Sequence, residues 1–249
     1  FFMAGLISGK NPVLEALKAN RPIEKILIAR GLKSYSVDLI YKLARQKGII
    51  VQEVDRKKID KLSETTAHQG IIAYAAPKEY VDVDYLLQRA EELKEDPFIV
   101  ILAGIEDPYN LGAILRTADA AGVHGVVIPK RRAVGLTETV AKASAGAIEY
   151  VPVARVSNLA QTVDYLKTKG IWIAGSDASA AKSYWEENLT GPLALIVGSE
   201  GAGMGRLLTE KCDYLLKLPM KGEISSLNAS VAASLLMYEV MRQREFLGY

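Results

Sequence analysis

Five short and almost wholly apolar segments in the second half of the chain constrain its fold more than any other feature. They cover residues 98–103, 125–128, 171–174, 193–197 and 215–218. Segments with the apolar spacing of helices separate them, at residues 111–121, 159–167 and 205–212. Strands that are apolar on both faces must be covered on both faces, and their alternation with helices favours a parallel sheet. The sequence therefore predicts one α/β domain over residues 98–249, with a mostly parallel sheet and helices on both faces.

The first part of the chain shows a similar alternation on a smaller scale. Strand patterns occupy residues 23–29, 49–54 and 71–75, and helical patterns occupy residues 11–17, 37–46 and 55–62. Asn11 followed by Pro12 is typical of a helix start, so Asn11 is expected to cap the first helix. Residues 1–78 are thus predicted to form a separate small α/β domain.

Charge is distributed unevenly along the chain. Residues 81–98 contain six Asp and Glu against two Lys and Arg, and they include a helical pattern at residues 83–93 between two prolines. Residues 79–97 are therefore predicted to be an acidic linker. Residues 1–80 contain 14 Lys and Arg against 8 Asp and Glu. This excess indicates contact with a polyanion, although a solvated charged surface explains it equally well.

Cysteine and histidine are too scarce for a metal site or a disulfide framework. The chain has Cys212, His68 and His124 and no others, so neither a metal nor an internal disulfide is expected. His68 has no second titratable group beside it, so it is interpreted as a turn residue or an RNA contact rather than a catalytic base. No apolar run is long enough to cross a membrane, and residues 1–7 lack the features of a signal peptide, so a cytoplasmic location is expected.

The loops that follow the strands of a parallel sheet carry its ligands. In the first such loop, Asn110 is expected to cap the next helix, whose free N–H groups favour an anion such as phosphate. Arg116 lies about one and a half turns further on, where its guanidinium is expected to reach back over that helix end. The alternative is that Arg116 pairs with an acid on the surface.

The second loop, at residues 198–205, contains four glycines that allow the backbone to approach a ligand closely. It departs from a nucleotide P-loop because Met204 and Gly205 stand where Lys and Ser or Thr are required, and from the dinucleotide pattern because Arg206 replaces the third glycine. A cofactor loop is predicted, and a nucleotide-dependent oxidoreductase is disfavoured. Glu200 within this loop has a helix cap as its alternative role.

The third loop covers residues 218–228, where Pro219 ends a strand and Gly222 permits a bend. Its side chains Ser225, Ser226 and Asn228 precede a helix predicted over residues 229–242, as caps or as ligand groups. That helix is apolar on almost every side, so it is expected to be buried or to lie in an interface. The three loops together indicate a cofactor site beside an anion site, and they leave the reaction open.

The three loops resemble, in order and spacing, the three motifs of the SpoU/TrmH family of RNA 2′-O-ribose methyltransferases. The matching segments are Asn-Leu-Gly-Ala-Ile-Leu-Arg-Thr-Ala at residues 110–118, Val-Gly-Ser-Glu-Gly at residues 197–201, and Leu-Pro-Met at residues 218–220 with Ser-Leu-Asn-Ala-Ser-Val-Ala at residues 226–232. Residues 9–17 and 68–70 look like the L30e-like RNA substrate-binding domain of the branch that modifies a guanosine in 23S rRNA.

This resemblance implies a knotted methyltransferase domain of the SPOUT type, with a deep trefoil knot around S-adenosylmethionine and a homodimer through the C-terminal domain. It also implies which residues form the site. The cofactor contacts would be Gly198, Leu218 and Leu227, and the catalytic set would be Asn110, Arg116, Glu200, Ser226 and Asn228. A tRNA substrate, or a non-catalytic role in RNA binding or ribosome assembly, is the alternative function.

The role of Arg116 stays open between two chemistries. The family proposal makes this arginine the base that removes the proton from the ribose 2′-hydroxyl. A guanidinium normally stays protonated, however. The alternative is that Arg116, with Ser226, grips the phosphate beside the target ribose and stabilises the developing alkoxide.

Overall fold

A computed structural model describes residues 5–63 and 67–246. The ends of the predicted domains at residues 1–4 and 247–249, and residues 64–66, lie outside this part of the chain. In chain order the elements are β1 (Gly5–Ser8), α1 (Lys10–Lys18), β2 (Ile23–Ala29), α2 (Tyr35–Gln46), β3 (Ile50–Val54), α3 (Arg56–Leu62), β4 (Ile71–Ala75), α4 (Val83–Leu93), β5 (Phe98–Ala103), α5 (Pro108–Ala120), β6 (Gly125–Pro129), α6 (Glu138–Ala143), a 3-10 turn (Ala147–Glu149), β7 (Val153–Val156), α7 (Leu159–Thr168), β8 (Trp172–Ser176), β9 (Lys182–Ser183), β10 (Leu193–Gly198), α8 (Arg206–Lys211), β11 (Tyr214–Lys217) and α9 (Ala229–Phe246).

The chain divides into two compact units that do not follow one cut in the sequence. The first unit combines Phe1–Glu79 with Gly135–Tyr150, and the second combines Tyr80–Val134 with Val151–Tyr249. The predicted boundary near residue 78 is therefore close to one of the crossings. The prediction did not include the later segment, which leaves the second unit and completes the first.

The first unit is a four-stranded sheet in the order β1-β4-β2-β3, in which only β2 and β3 are parallel. Alternate residues of β2 point to opposite faces. Ile26 and Ile28 belong to the core with α1 and α2, whereas Leu27 packs with Ile59 of α3. The strand patterns at residues 23–29 and 71–75 are confirmed, while β1 is too short for its pattern to have predicted it.

Two predicted details of the first unit can be compared with its geometry. The first helix begins at Lys10 and is preceded by Gly9, whose φ of 106° lets the chain turn directly out of β1, so the prediction that Asn11 caps this helix is wrong. His68 is buried, and its Nδ1 accepts a hydrogen bond from the backbone N–H of Gly70. Its Nε2 lies 2.8 Å from an Asp60 carboxylate oxygen. The bond from Gly70 supports the interpretation of His68 as a turn residue, whereas the expectation that it has no titratable neighbour is wrong, because Asp60 lies beside it.

Residues 135–150 belong to the first unit through polar contacts as well as packing. The hydroxyl of Ser63 donates to the carboxylate of Glu138, as does that of Ser8 on β1. The side chain of Glu149 is buried, with 2% of it exposed, and its Oε1 lies 2.6 Å from Nη1 of Arg21. Because a buried charge is costly without a partner, this ion pair ties the inserted segment to the first unit.

The second unit is a seven-stranded, wholly parallel sheet in the order β7-β6-β5-β10-β8-β11-β9. Every residue of β5 is buried, and so are five of the six residues of β10. The predicted parallel sheet is confirmed. The short edge strands β7 and β9 were not predicted, since neither carries a continuous apolar run.

The segment predicted as an acidic linker is instead part of the second unit from Tyr80 onward. The backbone N–H of Val81 donates to Val153, and Leu86 and Ala90 of α4 are buried. Leu86 packs so closely on Gly125 that a Cβ there would lie 2.2 Å from the leucine. All six acidic residues that suggested a linker are exposed, three of them on this amphipathic helix and three next to its ends.

Helix α9 is buried along one side and exposes an apolar row along another. Ala233, Leu236, Met237 and Val240 are buried, whereas Val231, Leu235 and Tyr238 are 46%, 42% and 46% exposed. The structure thus confirms burial for one side only. Within the described part of the chain, no helix has the length and apolar content that crossing a bilayer requires.

We expect Glu149→Ala to lower the free energy of unfolding by about 3–5 kcal/mol, because it leaves the Arg21 guanidinium buried without its partner. Chemical denaturation followed by circular dichroism measures this loss. The matched control is Lys18→Ala, which removes a more exposed ion pair with Glu15 and should cost less than about 1 kcal/mol. Equal losses in the two variants would contradict the role assigned to Glu149.

Candidate functional site

The carboxyl ends of β5, β8, β10 and β11 lie at one edge of the parallel sheet, so the loops that follow these strands meet there. A cavity of about 340 Å³ opens among the loops after β8, β10 and β11 and the start of α9. A second cavity, of about 500 Å³, lies beside the loop after β5. Ser199, Glu200 and Ala229 line both cavities, which therefore adjoin.

The glycine loop forms one wall of the first cavity because it folds back onto the end of β10. Ser199 and Gly203 exchange two backbone hydrogen bonds of 3.1 and 3.0 Å. This closes a turn in which Gly201 and Gly203 have φ values of 86° and 61°. A Cβ on Gly198 would lie 2.1 Å from the carbonyl carbon of Gly203 and 2.2 Å from the nitrogen of Met204. Only glycine fits at position 198, since the obstructing atoms are backbone.

The remaining walls of the first cavity are mostly apolar. Leu218 and Leu227 line it together with Gly198, so the three predicted cofactor contacts share one cavity. Ser225 and Ser226 are exposed and also line it. Apolar walls with a few polar groups suit a small organic ligand whose orientation those groups fix.

The loop after β8 also contributes to this cavity, and sequence reasoning missed it. Asp177 lines the cavity directly after the strand, and its backbone N–H donates to Leu216 of β11. Its Oδ1 accepts hydrogen bonds from the backbone N–H and the hydroxyl of Ser179, at 2.8 and 2.6 Å. Asp177 therefore provides the cavity with a carboxylate whose orientation is fixed by hydrogen bonds. Its position immediately after a buried strand was the sequence feature that pointed to it.

Three of the predicted catalytic residues form a hydrogen-bonded cluster between the two cavities. The side-chain N–H₂ group of Asn228 donates to Asn110 at 2.9 Å and to Glu200 at 2.8 Å. The same Glu200 oxygen accepts from the backbone N–H of Ala229, the first residue of α9. Asn228 Oδ1 accepts a hydrogen bond from the backbone N–H of Ser230, the second residue of α9. Glu200 and Asn228 thus cap α9 and also join the three loops.

Asn110 does not have the helix-capping role predicted for it. Helix α5 begins at Pro108, and the carboxylate of Asp107 caps it by accepting from the N–H of Tyr109. Asn110 is therefore the third residue of the helix rather than its cap, and its side-chain oxygen accepts a hydrogen bond from Asn228. Proline after an acidic cap is a common helix start, and here it moves the start back along the chain.

Arg116 lies apart from the cluster that the other residues form. It is exposed, and its side chain makes no hydrogen bond or ion pair with any described residue. Six residues after Asn110 on a helix correspond to a rotation of roughly 240° from it. The next residue, Thr117, shares a 2.9 Å hydrogen bond with Ser234 of α9. The guanidinium therefore belongs to the surface beside α9 rather than to either cavity.

Comparisons with known proteins match both parts of the chain. The SpoU rRNA Methylase family model matches residues 97–238, and the model for RNA 2′-O ribose methyltransferase substrate binding matches residues 6–81. A TrmH family tRNA/rRNA methyltransferase of Bacillus subtilis is 54% identical over 242 residues, which are 97% of each chain.

Solved structures resemble the whole chain as well. The SpoU methyltransferase AviRb from Streptomyces viridochromogenes, crystallised in complex with AdoMet, matches with a TM-score of 0.83 and 26% identity over 97% of this chain and 91% of that one. A crystal structure of an RNA 2′-O ribose methyltransferase matches with a TM-score of 0.82 and 30% identity over 98% of this chain and 90% of that one.

We expect Gly198→Ala to lower the free energy of unfolding by about 1–3 kcal/mol, because the new methyl group must displace the backbone of the glycine loop. Thermal or chemical unfolding measures the loss. Gly222→Ala is the matched control, since a Cβ there meets no atom within 4 Å. That control should change stability by less than about 0.5 kcal/mol. If the Gly198→Ala protein is as stable as the control, the backbone of the glycine loop can move away from the methyl group at no cost in stability, which would contradict this prediction.

Proposed function

The chain belongs to the SpoU rRNA methylase family, and on that premise we propose that it transfers a methyl group from S-adenosylmethionine to the 2′-hydroxyl of a ribose in RNA. The observation that carries the proposal is the Asn110–Asn228–Glu200 cluster beside a glycine-walled cavity. A small cofactor and a strand of RNA would then meet at the boundary between the two cavities.

The first cavity fits the chemical character of the cofactor. S-adenosylmethionine, when bound, supplies a methyl group on a positively charged sulfur. Leu218 and Leu227 offer apolar surface to its uncharged parts, and Asp177 offers a carboxylate to a positively charged group. Gly198 leaves room for the backbone to approach it. The AdoMet complex of AviRb supports the same assignment.

The residues of the cluster would orient the reacting ribose rather than take its proton. Asn228 is held by Asn110 and Glu200, so its position is fixed before RNA binds. The exposed hydroxyl of Ser226 at the first cavity is free to donate to an oxygen of the ribose or of its phosphate. Such preorganised donors lower the barrier because they need no rearrangement during the reaction.

We assign Arg116 the electrostatic role, in which its protonated guanidinium stabilises the developing alkoxide and the neighbouring phosphate while a water molecule takes the proton of the 2′-hydroxyl. Its exposed position outside both cavities favours action across a dimer interface. The exposed row Val231, Leu235 and Tyr238 on α9 provides an apolar surface beside it. A homodimer through α9 would bury that row and bring Arg116 to the site of the partner chain.

The first unit would select the RNA. It matches the substrate-binding model of RNA 2′-O ribose methyltransferases and contains the basic excess of residues 1–80. We propose an L30e-like mode of binding there and 23S rRNA, at a guanosine, as the substrate. A tRNA remains the alternative, because the relatives carry the name tRNA/rRNA methyltransferase. The same membership leads us to propose the trefoil knot and a cytoplasmic location.

A non-catalytic factor for RNA binding or ribosome assembly is the second candidate. A protein that only docks onto RNA has no use for the cluster of Asn110, Glu200 and Asn228 beside a cavity that admits only glycine at position 198. The intact cluster therefore favours an enzyme.

We expect methyl-labelled S-adenosylmethionine to label unmodified 23S rRNA at one nucleotide that resists alkaline cleavage, because cleavage requires a free 2′-hydroxyl. The label is mapped on 23S rRNA and tRNA transcripts in parallel. Label on tRNA alone would select the alternative substrate. Label on a base would contradict the ribose reaction, and cofactor binding without label on either RNA would favour the docking role.

We expect Arg116→Ala to reduce methyl transfer at least about a hundredfold while S-adenosylmethionine binding stays unchanged. Ser226→Ala should be similarly inactive. Co-expression of the two variants tests whether Arg116 acts across the dimer. One of the two sites in a mixed dimer would then be intact, so random pairing should restore about a quarter of wild-type activity. No restoration in a protein that is dimeric by sedimentation would show that Arg116 serves its own chain.

A further inference from the structure

The turn after β6 carries three consecutive cations that no step of the proposed reaction uses. Lys130, Arg131 and Arg132 are all exposed. Arg155 on the neighbouring strand β7 is exposed as well, and its guanidinium donates to the carbonyl oxygen of Lys130 at 3.2 Å. The same guanidinium lies 5.2 Å from the centre of the Tyr80 ring. Lys130, Arg131, Arg132 and Arg155 together form the basic rim.

The basic rim lies at the same edge of the sheet as the candidate site. Strand β6 pairs in parallel with β5, so the turns after the two strands are neighbours. The backbone N–H of Lys130 donates to Val156, and that of Val134 donates to Ile105 at 3.0 Å. Ile105 lines the second cavity. The turn is therefore anchored at both ends, and one anchor is part of the wall beside Asn110.

Three cations of this turn have no acidic partner among the described residues, whereas five other cations of the second unit do. Five ion pairs in that unit join nitrogen and oxygen at 2.8 Å or less, those of Lys167, Lys182, Arg206, Lys211 and Arg242. Lys130, Arg131 and Arg132 form no ion pair within the described ranges 5–63 and 67–246. Glu106 and Asp107 are exposed on the neighbouring loop, and Asp107 is engaged as the cap of α5. Four cations against two acids leave a positive surface beside the second cavity.

The arginine at the centre of the turn has a backbone conformation that is uncommon for a residue with a side chain. Arg132 has a φ of 56°, in the left-handed region that glycine adopts without strain. Non-glycine residues in this conformation are uncommon and concentrate at ligand sites. A charged side chain thus stands at a position where glycine would adopt the turn with less strain.

We propose that the basic rim binds phosphates of the RNA strand next to the target ribose and so guides that strand into the second cavity. This rests on the proposed function, because it assumes that RNA is the substrate. The chain continues from Val134 directly into residues 135–150, which belong to the unit assigned to RNA selection. Lysine and arginine are the side chains that neutralise phosphates, and each contact adds to the salt dependence of binding.

The test compares two doubly substituted proteins that lose the same charge. Arg131→Gln with Arg132→Gln removes two cations of the basic rim. Lys167→Gln with Lys211→Gln removes two paired cations at the ends of α7 and α8, away from the loops that form the site. Fluorescence anisotropy measures the affinity of each full-length protein for unmodified 23S rRNA and tRNA transcripts at several salt concentrations. Stabilisation by S-adenosylmethionine checks that the fold and the first cavity are intact.

We expect the basic-rim protein to bind RNA about tenfold more weakly near physiological salt, with a slope of log affinity against log salt that is shallower by about 1.4. On any transcript that the wild-type protein methylates, KM should rise and kcat should change little. The paired-lysine control should match the wild-type protein. If the double substitution disturbs the fold, Arg131→Gln alone, at an exposed side chain, should still reduce the slope by about 0.7.

The outcomes separate this proposal from the proposed reaction. One outcome is that the basic-rim protein binds RNA more weakly with a shallower salt slope, while the wild-type protein methylates no transcript. That outcome would support the basic rim as an RNA contact and overturn the proposed reaction. Methyl transfer by the wild type with RNA affinity, salt slope and KM unchanged in the basic-rim protein would overturn the rim as an RNA contact. The latter result would leave an acidic protein partner as the occupant of this surface.

Discussion

The parallel pairing of β5 with β10 is the interaction on which the site depends. The ladder runs in register from Phe98 against Leu193 to Ala103 against Gly198. Because both strands end at the same level, the loop that leads into the helix of Asn110 and the loop that carries Glu200 emerge side by side. These loops are far apart in the sequence, and both strands are buried along nearly their whole length. The burial of apolar surface that stabilises the sheet thus also fixes the distance between the polar groups at its edge.

The start of α9 converts this neighbourhood into a fixed arrangement. Asn228 caps the helix with its oxygen and bridges Asn110 and Glu200 with its nitrogen, so one side chain uses both ends of its amide. Glu200 accepts from the first N–H of the same helix. Helix ends require such partners in any case. The side chains that accept hydrogen bonds from the first N–H groups of α9 are therefore also the side chains that shape the site. A substitution that removes one of these hydrogen bonds would loosen both the helix start and the site.

The sequence was sufficient for the regular elements and for the composition of the site, and insufficient for contacts made across long separations. Continuous apolar runs predicted the parallel sheet because both faces of β5 and β10 are buried. The acidic helix α4 misled because charge describes its exposed face, whereas Leu86 on the other face decides its place in the core. Asn110 was identified, but as a cap, since its true partner Asn228 is remote in the chain. Asp177 was missed because a single aspartate after a strand is common in any α/β protein.

The placement of residues 135–150 has a consequence for how the two units depend on each other. The chain crosses between the units after Glu79, after Val134 and after Tyr150, so no single cut separates them. Glu149 and Glu138 reach the first unit only because the turn after β6 leads there, and that turn is itself anchored to the wall of the second cavity through Ile105. Removing residues 1–78 would expose the apolar face of the inserted segment and leave Glu149 without Arg21. Substitutions on intact chains therefore test RNA selection more cleanly than a truncation, which also removes the contacts that hold residues 135–150.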